Sequence, residues 1–343
     1  MTKLLVYRFS AMGDVILLLP VLKGVLDANT DVEIYLLTQP GFFPFFKNID
    51  RLHLVGADLK AKNKGILGLF SLFNQIRKEI CPDKVIDVHC VLRTYILDFL
   101  FRISGYRVVS INKGTWSKRQ IIKSKKISFL PTTVDRYSNT FSRAGYDVKL
   151  PSPSLYSQVS VPDNFSQVFN KPILIGIAPF AKHQQKIWGI EKIENLIERL
   201  NQLYDVNILL FGGGKAESEI LNQVAQKYDN CIVSSNYFNL DDEIRIIPRL
   251  AVMVSMDSAN MHLASMGSIP TVSVWGATHP ALGFAPYMQP KENLIQYTGD
   301  ELPCRPCSVY GNKKCIYSDE IRCMQYVSVE MVLNRITQIL SGE

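Results

Sequence analysis

Short β-branched and aliphatic runs alternate along the chain with stretches whose apolar residues recur every three or four positions. Lys3–Phe9 (KLLVYRF), Val32–Thr38 (VEIYLLT), Lys84–Cys90 (KVIDVHC) and Arg107–Ile111 (RVVSI) read as strands. Helical patterns such as Asp14–Ala28 and Gly68–Ile80 lie between them. Strand–helix–strand alternation implies parallel sheets covered by helices.

Residues 151–172 break the rhythm with four prolines and several Ser and Asn residues, the pattern of a linker. A second series follows: Ile173–Pro179, Val206–Gly212, Cys231–Ser235, Ala251–Asp257 and Thr271–Gly276 read as strands. Ile190, Ile193, Ile197, Leu200 and Tyr204 mark one face of a helix between the first two. A last helix is expected from Val329 to Leu340, with Ser328 as its N-cap and Val332, Leu333 and Ile336 in its buried stripe. The expected organisation is an α/β N-terminal domain over 1–160 and a similar one over 170–325. A C-terminal helix over 326–343 would pack back on the first domain. The shared plan suggests two Rossmann-like domains facing each other across a cleft. Open parallel sheets bind ligands at the carboxyl ends of their strands, so the motifs there should carry the function.

Composition sharpens this only in its charge. The net charge is +7, yet residues 1–150 carry 23 basic and 12 acidic residues against 15 and 19 in the remainder. A basic first half suggests an anionic partner, with Lys60, Lys62, Lys64, Arg93, Lys118, Arg119, Lys123, Lys125 and Lys126 as contacts. These residues lack interleaved aromatics for base stacking, so nucleic acid is not expected. The early apolar run from Val15 to Leu22 is too short to span a bilayer, and Arg8 and Asp14 argue against a signal peptide. The expected location is the cytoplasm, with peripheral contact on the inner membrane face.

Five strand-end motifs bear chemistry. Ser10-Ala11-Met12-Gly13-Asp14 ends the first strand. Ser10 would cap the next helix, Gly13 would allow close approach, and Asp14 in the first turn could accept a proton from a substrate hydroxyl. Plain capping by Asp14 is the competing reading. The loop from Pro179 to Trp188 offers Lys182 and Lys186 to a phosphate. Gly212-Gly213-Gly214-Lys215 lacks the spacing of either a P-loop or a dinucleotide fingerprint. It reads as a tight turn where Gly213 lets a nucleotide lie close, and Glu217 could reach a ribose. Asp257, Ser258 and His262 converge at a helix start, and Thr278 and His279 follow the next strand.

Cys304, Cys307, Cys315 and Cys323 fall within twenty residues. The first pair has zinc-like spacing and the second does not, so packing or loop cysteines are expected ahead of a structural zinc. Cys81, Cys90 and Cys231 are expected to be inert core thiols.

Taken together these motifs resemble glycosyltransferase family 9, the lipopolysaccharide heptosyltransferases. The match runs through Ser10, Gly13 and Asp14, then Pro179, Lys186 and Trp188. It continues through Asp257, Ser258, His262 and Leu263, and Gly276, Thr278 and Pro280. The resemblance implies a GT-B fold, no cofactor or metal, and inverting transfer from a nucleotide sugar such as ADP-heptose to a phosphorylated, lipid-linked saccharide. By it, Asp14 would be the base and Lys186 would neutralise the leaving diphosphate. Pro179, Lys182, Gly213, Glu217, Asp257, Ser258, His262 and Thr278 would hold the donor. Ser10, Gly13, Lys62, Lys64 and Arg93 would hold the acceptor. Ala259 stands where the family carries glycine, and Ala181 and Lys182 lie where small hydroxyl residues are usual. These departures bear on the identity of the donor. Two alternatives stay open: a GT-B transferase or epimerase using a different nucleotide sugar, and a non-catalytic protein binding an anionic ligand through the basic face.

Overall fold

The computed structural model describes residues 1–156, 159–299, 301–317 and 320–342. The chain divides into two compact units, Met1–Gly114 with Pro131–Pro151, and Thr115–Leu130 with Ser152–Glu343.

The first unit is built on five parallel strands in the order β3-β2-β1-β4-β5. These are β1 (Thr2–Tyr7), β2 (Val32–Thr38), β3 (Leu52–Gly56), β4 (Lys84–Asp87) and β5 (Arg107–Ser110). The apolar runs that announce β1, β2 and β4 are buried on both faces, as a helix-covered parallel sheet requires. β3 was not legible because it is an edge strand of only five residues, none of them fully buried. Helices Gly65–Glu79 and Leu92–Ile103 pack Leu69, Leu72, Phe73, Ile76, Leu97 and Phe101 against one sheet face.

The expected helix over Asp14–Ala28 is two helices, Met12–Ile16 and Leu19–Ala28. Pro20 sits in the first turn of the second. It has no N–H to bond back to Ile16, so the first helix stops and proline opens the next.

The second unit has six parallel strands in the order β11-β10-β9-β6-β7-β8. They are β6 (Ile173–Ala178), β7 (Val206–Leu210), β8 (Cys231–Val233), β9 (Val252–Met256), β10 (Thr271–Trp275) and β11 (Leu294–Gln296). The helix Ile190–Leu203 buries Ile193, Leu196, Ile197 and Leu200 on the face its spacing predicts. The last helix, Val329–Ser341, is capped by Ser328, whose hydroxyl accepts the Met331 N–H. Its Val332, Leu333 and Ile336 join the core of this second unit.

The proline-rich stretch is held on the second unit. Leu155 N–H donates to Met266 O at 2.9 Å, and Arg245 donates to Ser160 O and Val161 O, each at 2.7 Å. Ser157 and Gln158 of that stretch lie outside the described residues. Among the described residues no helix is long and apolar enough to cross a membrane.

Candidate functional site

In both units the central strands end in a carboxylate paired with a cation. In the first, β1 runs out through Arg8 and Phe9 into the helix Met12–Ile16, with Asp14 in its first turn. Arg8 Nη2 lies 2.6 Å from Asp14 Oδ2; the Arg8 side chain is 7% exposed and that of Asp14 29%. Arg8 Nη1 donates to Val88 O at 2.6 Å, and the guanidinium stacks over the Tyr137 ring. The Tyr137 hydroxyl in turn donates to Asp14 O at 3.0 Å. Asp14 is thus fixed from its backbone and its carboxylate, while the carboxylate keeps an open side.

Ser10 does not cap this helix. Its N-cap is Ala11, without a side-chain bond. The Ser10 hydroxyl instead lies 3.3 Å from His89 Nε2. His89 Nδ1 accepts the Phe9 N–H at 3.4 Å, which leaves Nε2 to carry the proton and donate toward Ser10. Burial, then the nearby Arg8 and Lys113 charges, lowers the His89 pKa to about 3, so the ring is neutral. Gly13 lies in the same turn. Arg93 is exposed in the first turn after β4, and Lys62 and Lys64 are exposed in the loop after β3. All three therefore leave the carboxyl edge of the sheet that carries Asp14, with Lys62 and Lys64 beyond a strand two places away.

Beneath this edge lies a second acidic group. Asp87 Oδ1 accepts the N–H groups of His89 and Cys90, and Asp98 accepts from the Tyr7 and Ser110 hydroxyls. Burial and then the Asp87 charge raise Asp98 to about 6. Burial also holds the Cys90 thiol up at about 12, and Cys81 is exposed.

In the second unit the pair is assembled from three strand ends. Lys186, from the loop after β6, places Nζ 2.7 Å from Oδ2 of Asp257, which follows β9. Thr278, after β10, donates its hydroxyl to the same oxygen at 2.7 Å. Lys186 is 14% exposed and Asp257 8%. Lys186 also reaches Asp257 O at 3.4 Å, which leaves further ammonium donor capacity. Ser258 is the N-cap of the helix Ala259–Met266, yet its hydroxyl lies 3.2 Å from Ser255 Oγ and makes no cap bond. The first-turn N–H groups therefore have no side-chain cap, as an anion site at a helix start requires. His262 is buried one turn on.

The other expected contacts are scattered. Pro179 closes β6, Trp188 is buried with its Nε1 donating to Val327 O at 2.8 Å, and Lys182 is exposed. Gly213 has open space around its Cα, whereas a Cβ at Gly212 would meet Leu221 at 2.7 Å. Glu217 spends one carboxylate oxygen on Gly213 N–H at 2.9 Å. His279 Nδ1 accepts the Ala281 N–H, and burial followed by Arg305 lowers its pKa to about 4.

Three residues of these sites escaped sequence reasoning. Arg8 and His89 had a signal: each is a polar residue where a buried apolar run leaves the sheet. Arg305 had none. It donates to the carbonyls of Gly276 at 2.6 Å, Thr278 at 3.2 Å, Trp275 at 3.4 Å and Tyr297, and to Gln296 Oε1 at 3.1 Å. That fan of bonds fixes the loop carrying Thr278.

The four late cysteines line one small pocket with Gln185, Ala277, Lys313 and Tyr317. Burial raises Cys307 to about 12 and Cys323 to about 11, so both are thiols near neutral pH. Among the described residues no three His, Cys, Asp or Glu side chains are grouped as a metal ion would need.

Comparison with known proteins places the chain in one family. The model of "Glycosyltransferase family 9 (heptosyltransferase)" matches residues 105–316. Lipooligosaccharide heptosyltransferase 2 of Campylobacter jejuni is 25% identical over 201 residues, covering 57% of this chain and 58% of that protein. Its match thus spans little more than half of that relative. Lipopolysaccharide heptosyltransferase 1 of Pseudomonas aeruginosa is 24% identical over 331 residues, covering 92% of this chain and 88% of the relative. Among solved structures, E. coli heptosyltransferase WaaC with ADP aligns over 98% of this chain and 100% of its own, at 17% identity and a TM-score of 0.68. The two parallel-sheet units are those of the GT-B fold.

Proposed function

The chain belongs to glycosyltransferase family 9, the heptosyltransferase family, and from that premise we propose that it transfers a sugar from a nucleotide donor to a lipopolysaccharide inner-core acceptor. The donor is ADP-heptose, the acceptor a phosphorylated, lipid-linked saccharide, and the transfer inverting and metal-independent. One observation carries this reading: Lys186 is held 2.7 Å from Asp257 beside a helix start without a side-chain cap. A cation and a helix start without a side-chain cap at one place suit a departing diphosphate, whose charge grows as the glycosidic bond breaks. Asp257 positions the ammonium, Thr278 positions Asp257, and exposed Lys182 adds a second positive charge.

On the first unit, Asp14 takes the proton of the acceptor hydroxyl as its oxygen attacks the anomeric carbon. Ser10, Gly13, Arg93, Lys62 and Lys64 would hold the acceptor and its phosphates. Pro179, Gly213, Glu217 and His262 would shape the donor site. The solved E. coli heptosyltransferase WaaC supports the nucleotide, since it holds ADP in one structure and ADP-2-deoxy-2-fluoro heptose in another.

Ala259, in place of the family's glycine, favours the second reading, a GT-B enzyme using another nucleotide sugar. A thermal-shift panel of ADP-, UDP- and GDP-sugars separates the two. A ligand at a hundred times its Kd adds about 2.7 kcal/mol, or roughly 5–10 °C in Tm for a domain of this size. ADP-heptose is expected to give that shift and to be turned over with an inner-core acceptor. Stabilisation by a UDP- or GDP-sugar alone would replace ADP-heptose as the donor.

A further inference from the structure

We propose that the outer face of the helices Gly65–Glu79 and Leu92–Ile103 is a docking surface for an anionic lipid bilayer. The proposal rests on the lipid-linked acceptor of the reading above and names the surface that would meet the lipid.

The two helices lie side by side on one face of the first sheet, joined by a Phe73–Phe101 edge-to-face contact at 4.9 Å. Their inner sides fill the core, so their outer sides should be polar. They are not. Ile66 is 70% exposed, Leu67 85% and Phe70 50%, within the first two turns of one helix. On the other, Leu92, Tyr95, Phe99 and Ile103 recur at steps of three and four residues and form an exposed apolar stripe. Large contiguous apolar surface on a folded unit marks an interaction site.

Charge selects the occupant. No acidic residue occurs between Lys60 and Lys78, and the one acid of the second helix, Asp98, is turned inward to Tyr7 and Ser110. The exposed charges at the start of the two helices are cations, Lys62, Lys64 and Arg93, joined by Arg102 on the second; the exposed acid of the first helix, Glu79, lies at its far end beside Arg77 and Lys78 and accepts from Gln75. Both helices follow strands of a parallel sheet, so both begin at its carboxyl edge, where the lysine loop and Asp14 also lie. A second copy docked through this face by a two-fold axis would oppose cation to cation. Anionic headgroups neutralise the cations while the aromatic and aliphatic side chains enter the interfacial layer.

Cosedimentation of the whole chain, without donor or acceptor, tests this. The probes are vesicles of phosphatidylcholine alone and of phosphatidylcholine with phosphatidylglycerol. Binding is expected to be about tenfold or more stronger to the anionic vesicles and to weaken with salt. The double variant Leu67→Glu/Phe99→Glu should lose about tenfold or more of it. Both positions are exposed, so its circular dichroism and its turnover of a deacylated, water-soluble acceptor should match the parent. Equal binding of variant and parent, or of neutral and anionic vesicles, overturns the proposal. So does a parent that ignores vesicles but dimerises where the variant is monomeric. Vesicle binding without turnover of any sugar would remove the proposed function and leave the docking surface standing.

Discussion

The first unit makes its carboxylate–cation pair from one stretch of chain, Arg8 to Asp14, while the second makes its own from the ends of β6, β9 and β10. The difference extends to the surroundings. Asp14 keeps an exposed side, which the proposed base would need to meet a hydroxyl from solution. Asp257 is nearly buried, with a lysine and a threonine on one oxygen and Arg305 bracing the threonine's loop. A proton acceptor can be served by a short helix turn, since its substrate brings the other half of the geometry. A diphosphate site must present its charges already in place, and fixing a cation from three strands does that.

Replacing the two charged groups most directly tests this division. Asp14→Asn should lower kcat by about a thousandfold, within the usual range for a positioned general base. The donor Kd, read by calorimetry, should stay as it was; retained turnover would remove Asp14 from the base role. Lys186→Gln should lower kcat by about a hundredfold, the loss of one preorganised charge on the leaving group. Unlike Asp14→Asn, it should also weaken binding of the nucleoside diphosphate product. If both variants changed only kcat, the separation into a proton site and a phosphate site would collapse.

The third test strikes the bracing. Arg305→Met leaves the carbonyls of Gly276, Thr278 and Tyr297 without their shared donor. A cost of about 2–3 kcal/mol follows from losing charged hydrogen bonds in a half-buried site. The Tm should fall by roughly 5–10 °C for a domain of this size. Because Thr278 loosens with its loop, the diphosphate Kd should rise as well. An unchanged melting curve would mean that the loop holds its shape without Arg305.

What the sequence disclosed follows the same contrast. Buried parallel strands are long apolar words, so β1, β2, β4, β6, β7, β9 and β10 could be read directly. The edge strands β3 and β11 carry no fully buried residues and could not. Asp14, Lys186, Asp257 and Thr278 were legible because each follows a strand in a loop with glycine, proline or a helix start beside it. That Lys186, Asp257 and Thr278 share one oxygen was not, since it depends on strand order, with β6 beside β9 and β9 beside β10. Arg305 is farther still from legibility, because its partners are backbone carbonyls and leave no mark on any side chain. Ser10 was misread as a cap because its actual partner, His89, is 79 positions away.

His89 offers the smallest test and the one most specific to the first unit. Its pKa is lowered to about 3, chiefly by burial and next by Arg8, whereas the unfolded chain titrates near 6.5. Above 6.5 both states are neutral and the group contributes no pH dependence. As pH falls from 6.5 toward 3 the unfolded chain takes up the proton first, so stability drops by up to about 1.4 kcal/mol per pH unit. Asp98 works in the opposite sense. Its pKa, raised to about 6 by burial and then by Asp87, gives stability that is full below the unfolded carboxylate range and lost as pH rises through about 6. The two therefore oppose each other between roughly pH 4 and 6. His279 in the second unit, lowered to about 4 by burial and then by Arg305, acts in the same sense as His89. His89→Gln removes one side of the balance in the first unit. Its stability relative to the parent should improve by about 2 kcal/mol between pH 6.5 and 5, read as converging melting temperatures. Parallel pH profiles for the two proteins would show that the ring beside Ser10 is not the buried neutral imidazole on which the shape of the Asp14 loop depends.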